Sequence, residues 1–572
     1  MGNQRTRGLA WVPALAGLVL LAGVAWADGP AEPRDSVESR IPVLRPRICV
    51  VLSGGGARGI AHIGVLKVLE DLKIPIDCIA GTSMGAVVGG LYASGMKARD
   101  IESTMRSVDW QEAFRDNPPR RDLAFRRKQD DRNFLVRLPL GLKHGQILLP
   151  KGFIQGQKLQ ETLRQLTLQF NDTTDFDKLP TAFRAVATDL ENGEAVLLDK
   201  GDLAIAMRAS ISAPGVFAPV DYRGRLLVDG GLSENLPISV ARAMNADILI
   251  VSDVSFPLQA RAQLDSALSI SNQTLAIMVH HDSDRQKLSL SPQDVLIEPL
   301  LGSATSTDFT AALGTIVRGE EAARRAADKL ATLRVGEADY RVYQARREAR
   351  VPGLSPIEFV RVDKESKRYE ATILAEMRPL IGKPFSVDQV GASITKLYGL
   401  GNFETLDYSL VQRDLGVPAA TGMNGGGGAD EAAATGGETG LEFRARRKSW
   451  GPNYVRFGLN LQDDFQGNSR YNAAARFVVS ELNELGAELL TDVQIGSDPR
   501  VFSEFYQPLD PERTWFVAPS ARIEVRDLPI YVRNIEVADF RDREAEADLD
   551  IGRNLGNWGE IRTGLHRTNG LT

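Results

Sequence analysis

Two apolar runs near the start of the chain, "ICVVLS" from Ile48 and "IDCIA" from Ile76, each break at glycines and hand over to a helical pattern. That handover leaves little choice of fold. A short run that is apolar throughout suits a strand covered on both faces, and parallel strands need a crossover segment to return the chain. The first run leads through "GGGARG" to Ile60, Ile63, Leu66 and Leu69 at helical spacing, which predicts a helix over 58–72. The second leads through "GTSMG" into a helix after Ser83. Later runs, "FRAVATD", "AVLLD", "RLLVDGG", "DILIVSD" and "DVLIEP", are interleaved with helical patterns near 202–213, 235–245 and 261–290. The pattern predicts a three-layer α/β domain over 47–335 with a mostly parallel central sheet.

The rest of the 572 residues divides by changes of pattern. Arg5 and Arg7 precede the apolar stretch "GLAWVPALAGLVLLAGVAWA", and its small-x-small end predicts a secretory signal over 1–27, cut after Ala27. A retained membrane anchor is the other reading of that stretch. Within 108–180 the alternation lapses into "RDNPPRRDLAFRRKQDDR", read as a solvated face, with a lid or a patch for anionic lipid headgroups as the alternative. Residues 355–449 run strand, two helices, strand, strand, a small separate module interrupted by "GMNGGGGADEAAATGGETG". From Trp450 to Thr572, eight segments of about ten alternating residues predict an antiparallel transmembrane β-barrel, incomplete within this chain, with a soluble sandwich as the alternative.

Composition adds little. A net charge of −6 with 25% charged and 43% hydrophobic residues describes foldable protein and points to no nucleic-acid partner. The two cysteines, Cys49 and Cys78, sit in apolar runs and are expected as separate buried residues without a disulfide.

The chemistry gathers at the two glycine clusters. Gly81-Thr82-Ser83-Met84-Gly85 is G-x-S-x-G, the strained strand-to-helix turn that exposes a serine hydroxyl. Gly54-x-Gly56-x-x-Gly59 fits a dinucleotide's pyrophosphate, with Asp77 near the right spacing, or an oxyanion hole. The nearby elbow favours the oxyanion hole, since neighbouring parallel strands deliver both loops to one sheet edge. Its donors are then Gly54, Gly55, Gly56, Ala57, Arg58, Gly59 and the N–H of Met84, with the Arg58 charge beside them. Ser83 needs a base. Asp229, at the end of "RLLVD" and before Gly230 and Gly231, is the better candidate, provided partial desolvation raises its pKa. The order Ser83, Asp229, His280 or His281 keeps a triad open, although that histidine pair ends a helical pattern. His62 reads as a packing or capping residue. The "DxD"-like pairs near 282–284 and 548–550 read as solvated turns. Nothing in the sequence asks for a metal or cofactor.

"GGGARG", "GTSMG" and "DGG" in that order, with "ATDLENGEAVLL" and "ASISAPGVFAPV", resemble the patatin-like phospholipases over about 47–330. The resemblance implies a Ser–Asp dyad of Ser83 and Asp229, an oxyanion hole at 54–59, and hydrolysis of phospholipid or other lipid esters without a cofactor. Residues 355–449, above all "LYGLGNFETLDYSL", resemble a POTRA domain, and "KSWGPNYVRFGLNLQDDF" resembles its junction to an outer-membrane barrel. The whole order resembles the patatin-type (type Vd) autotransporters. That implies residence in or passage through the outer membrane, the barrel-assembly machinery as partner, and room for a homodimer. The non-enzymatic alternative is a lipid-binding passenger carried by a secretion barrel.

Overall fold

The strand that opens the first predicted handover, β1 (Ile48–Leu52), is buried along its whole length. In this computed structural model the described residues are 45–134, 140–170, 175–255, 258–351, 355–413, 438–463, 469–533 and 535–571. The predicted signal segment and residues 422–437 of the glycine-rich insert lie outside them. Next in the chain come β2 (Cys78–Thr82), the hairpin β3 (Leu140–Lys143) and β4 (Gln146–Leu148), and β5 (Ala182–Asp189). β6 (Ala195–Leu198), β7 (Val220–Tyr222), β8 (Arg225–Asp229), β9 (Ile248–Ser252) and β10 (Val295–Ile297) follow. The first sheet runs β10-β9-β1-β2-β5-β8-β7, with β6 also on β5. From β10 to β5 it is parallel, and β6, β7 and β8 are antiparallel additions. Alternate residues of β1 feed opposite layers. Ile48, Val50 and Leu52 pack with Ile63, Leu66 and Val88, whereas Cys49 and Val51 pack with Leu236, Ile238 and Ala241. That is the three-layer arrangement read from the sequence.

The cysteine expectation is corrected. Parallel register sets Cys49 opposite Cys78 with their Cα atoms 4.5 Å apart, and the two are joined as a disulfide. Two apolar runs read singly hide that register. The acidic pairs are corrected as well: 282–284 lie inside the helix Ala267–Lys287, and 548–550 lie within a strand.

The small module is β11 (Phe359–Val362), the helices Glu370–Met377 and Val387–Tyr398, then β12 (Phe403–Arg413) and β13 (Glu438–Arg447). Its sheet order is β11-β13-β12, over a core that includes Ile373, Met377, Val390, Ile394, Leu441 and Phe443.

Among the described residues after Trp450 the chain forms seven strands where about eight were expected. They are β14 (Asn453–Asp463), β15 (Ser469–Val479), β16 (Glu488–Gly496), β17 (Arg500–Pro508), β18 (Trp515–Val532), β19 (Ile535–Asn554) and β20 (Glu560–Leu571). The segment "IYVRNIEVADF" contains a hairpin turn that the alternation does not reveal, so its halves end β18 and begin β19. All neighbours are antiparallel. Register keeps Phe457, Leu459, Leu461, Ile523, Ile561 and Leu565 on one exposed face. Charged Arg476, Asp492, Glu504 and Glu524 are buried on the other. The β3–β4 hairpin extends this sheet at β14, giving the order β20-β19-β18-β17-β16-β15-β14-β3-β4.

Arg115, Arg120 and Arg121 remain exposed, as a solvated face requires, but the second half of the arginine-rich stretch is not free. It forms a helix, Phe125–Asn133, lying on the charged face of the second sheet. Its charges find partners more than 340 residues downstream, beyond any sequence window.

Candidate active site

Both glycine clusters open at the same end of the parallel strands, since Leu52 of β1 stands opposite Gly81 of β2. Ser83 follows β2 with φ 52° and ψ −124°, in a region non-glycine residues rarely adopt. Its backbone N–H donates to Ser210 Oγ at 2.8 Å, and that hydroxyl donates to the Val186 carbonyl at 2.5 Å. Gly85 lets the following helix, Met84–Ala93, run against β1: a Cβ there would lie 2.3 Å from the Leu52 carbonyl oxygen.

Ser83 Oγ donates to Asp229 Oδ2 at 2.7 Å. Asp229 ends β8, and its other oxygen, Oδ1, accepts the Gly231 N–H at 2.8 Å. Gly230 brings the turn against β5, where an added Cβ would stand 2.2 Å from the Val186 carbonyl oxygen. Desolvation by burial raises the Asp229 pKa to about 6, against the opposing pull of the Gly231 and Ser83 hydrogen bonds. A carboxylate so shifted takes a hydroxyl proton more readily than one at 3.8.

The loop 54–59 presses against this pair. A Cβ on Gly54 would be 3.2 Å from the Ser83 Cβ, and one on Gly59 would be 2.5 Å from the Met84 side chain. The donors divide. The Gly54 N–H is taken by the Asn235 carbonyl at 3.1 Å and the Ala57 N–H by the Ser306 carbonyl at 2.8 Å. Among the described residues, no acceptor stands on the N–H groups of Gly55, Gly56 or Met84. Arg58 staples the loop. Its Nε donates to the Val254 carbonyl at 3.0 Å, Nη1 to Ala304 at 2.9 Å and Nη2 to Ser255 at 3.2 Å. Its guanidinium is therefore spent on the loop's support, which differs from a free charge beside the cradle.

His62 lies under the loop. Burial lowers its pKa to about 4, so the ring is neutral near pH 7. Its contacts assign Nε2–H to the Ser53 carbonyl at 2.9 Å and leave Nδ1 to accept from Ser252 Oγ at 2.8 Å. His280 and His281 sit in the helix Ala267–Lys287, and neither is a hydrogen-bond partner of Ser83 or Asp229. Among the described residues, no three His, Cys, Asp or Glu side chains gather closely enough to hold a metal ion.

Sequence reasoning missed Ser210 and Asn235. Asn235 holds Gly54 through its carbonyl, while its Nδ2 reaches Ser255 Oγ at 3.0 Å and Ser283 Oγ at 3.2 Å. Both residues lie in stretches that stand out in the sequence, "ASISAP" and "DGGLSENLP", but only the folded chain shows what they hold.

The family model for patatin-like phospholipases matches residues 50–242, the span that carries the loop, the elbow and the carboxylate. Those residues form a patatin-like phospholipase domain. An uncharacterized NTE family protein of Mycobacterium tuberculosis is 34% identical to this chain over 205 residues, 36% of this chain and 48% of the relative. A lysophospholipase of Emericella nidulans is 29% identical over 223 residues, 37% of this chain and 12% of the relative. The chain thus spans about half the length, or less, of these curated relatives. Among solved structures, BamA of Haemophilus ducreyi lacking POTRA domains 1–3 matches 38% of this chain and 36% of that chain. The identity is 14% and the TM-score 0.28. The patatin-like match ends at 242, within the first sheet's sequence, so the small module and strands β14 to β20 lie beyond it.

Proposed function

We propose that the patatin-like domain is a lipid acyl hydrolase of phospholipase A type working through a Ser83–Asp229 dyad. Ser83 Oγ adds to the ester carbonyl carbon while its proton passes to Asp229. The N–H groups of Gly55, Gly56 and Met84 receive the oxyanion. Collapse breaks the ester C–O bond, and the departing alkoxide takes the proton back from Asp229, leaving an acyl-serine. Water then adds to the acyl carbon, gives its proton to Asp229, and fatty acid leaves as Ser83 is reprotonated. The observation that carries this reading is the 2.7 Å bond from Ser83 Oγ to a carboxyl whose pKa is pushed up to about 6.

We infer further that the N-terminal segment directs export. On this reading the small module is a POTRA domain and the second sheet is wall of an outer-membrane barrel inserted with the barrel-assembly machinery. The apolar outward face of β14 to β20, opposite a charged inner face, supports the barrel.

Fatty-acid release from phospholipids labelled separately in the sn-1 and sn-2 chains tests the dyad. Ser83→Ala is expected to abolish release and Asp229→Asn to lower it at least 1000-fold. His280→Ala with His281→Ala is expected to stay within twofold of wild type. A loss in that double variant as large as for Asp229→Asn would replace the dyad with a triad.

A further inference from the structure

Besides the β3–β4 hairpin paired to β14, the patatin-like domain meets the rest of the chain through two sets of charged side chains, both largely out of water. The first is the helix Phe125–Asn133 on the inner face of the second sheet. Arg126 donates to Glu504 at 2.7 Å and Glu488 at 3.3 Å, with its guanidinium 4.1 Å from the centre of the Tyr506 ring. Arg127 pairs with Glu488 and, at 2.9 Å, with Asp130. Asp130 in turn accepts from Arg476 at 2.7 Å. The Glu488, Arg476 and Asp130 side chains are 5–7% exposed. Phe134 closes the contact, 3.5 Å from where a Cβ on Gly458 would stand.

The second set joins the domain to the small module. Arg164, fully buried, reaches Asp202 of its own domain at 2.5 Å and Asp407 of β12 at 3.0 and 2.5 Å. Arg444 of β13 lies 3.2 Å from Asp202 and 3.3 Å from Asp407. Beside them the Gln157 amide makes two bonds to the backbone of Leu406, donating to its carbonyl at 2.7 Å and accepting its N–H at 2.9 Å.

Both contacts lie at one end of the second sheet. Asn557, in the β19–β20 turn, donates to the Asp122 carbonyl at 2.9 Å, and Tyr369 of the small module donates to Glu481 in the β15–β16 turn at 2.9 Å. The Ala124 N–H and the Gly399 carbonyl tie the two neighbours to each other at 3.0 Å.

We infer that the inner face of the second sheet and the outer edge of the small module form a built docking surface whose partner is this chain's own patatin-like domain. The domain therefore stays attached at the small module's end of the sheet even after the connecting chain is cut. A domain carried on a loose tether would present these arginines and carboxylates to water on both sides. Here each charge is buried against the opposite charge of another domain, and parting them would strand unpaired ions at a dewetted surface. Pairs this buried are also screened far less by salt than surface pairs. The inference goes beyond the proposed chemistry and does not depend on it.

The test places a specific protease site at residues 352–354 of the full chain, between the patatin-like domain and the small module, and cuts the folded, detergent-purified protein. The two fragments are expected to elute together in size-exclusion chromatography at micromolar concentration and to remain together in 0.5 M salt. Separation of the unaltered fragments under those conditions would overturn the inference. In a second arm, Arg126→Glu, Arg127→Glu and Asp407→Asn together are expected to raise the fragments' dissociation constant at least 100-fold. Circular dichroism and thermal melting of the uncut variant check that it folds. A folded variant whose fragments hold as tightly as wild type would equally overturn the assignment. Neither arm reads lipid hydrolysis, so failure here is distinct from failure of the dyad.

Discussion

Asp229 carries a conflict between chemistry and stability at a single carboxyl. Burial holds its proton until about pH 6, whereas an unfolded chain releases it near 3.8, so between those values the folded state binds more protons. The sign follows: this group favours folding below about pH 4, and that contribution is lost as pH rises through 6. As a general base it works only when deprotonated, so kcat/KM is expected to climb with pH through about 6 and then level off. Asp229→Asn removes both effects. In thermal melts it is expected to exceed wild type by about 1–2 kcal/mol at pH 8 and to match it near pH 4, while losing activity throughout. Equal melting curves at pH 8 would show that the carboxyl is not strained by burial. At this scale the sequence was readable where a motif is local. Ser83 and Asp229 stand in short glycine-flanked patterns, but Ser210 and Asn235 do their work through bonds to residues 127 and 181 positions away.

The elbow is held by a neighbouring element, the helix Leu203–Ser210, whose last hydroxyl ties the Ser83 N–H to the β5 carbonyl of Val186. Without that bridge, a positive-φ serine and a strand carbonyl each lose a buried partner. Ser210→Ala is expected to lower kcat about 10- to 100-fold, about 1.4–2.7 kcal/mol in barrier, with KM within threefold and the pH midpoint unmoved. A shift of that midpoint would mean Ser210 acts on the Asp229 proton and not on the geometry of Ser83. Elements were legible in proportion to how locally they are specified. The apolar runs of β1, β2 and β9 announced themselves, as did the strand-helix-helix-strand-strand order of the small module. The helix Phe125–Asn133 did not, because a run of arginines and aspartates has no apolar stripe and its partners are set by tertiary contact. The turn between β18 and β19 was hidden for another reason: both flanks alternate, and no glycine or proline marks the corner.

Across the whole molecule, the second sheet sorts its residues by face. Outward Phe457, Leu459, Ile523 and Leu565 are apolar and inward Arg476, Asp492, Glu504 and Glu524 charged, so on the barrel reading proposed above a cation placed outward should oppose membrane insertion by about 2–4 kcal/mol near the bilayer centre. Ile523→Arg is accordingly expected to reduce the fraction folded into lipid vesicles, read by protease protection, while Ser520→Arg on the inward face is expected to leave it within twofold. Equal effects from both would argue that the outward face never meets lipid. The separate sheets were readable because each stretch has its own periodicity; how they grip one another was not, since no pattern in the chain pairs Arg164 with Asp407. The β3–β4 hairpin has one more consequence. Among the described residues it pairs with β14 at Leu140 and Gly141, opposite Val455 and Tyr454, on the edge of β14 away from β15. A further strand arriving there would find its first two rungs already laid, and would have to extend that ladder or peel the hairpin away before a cylinder could close.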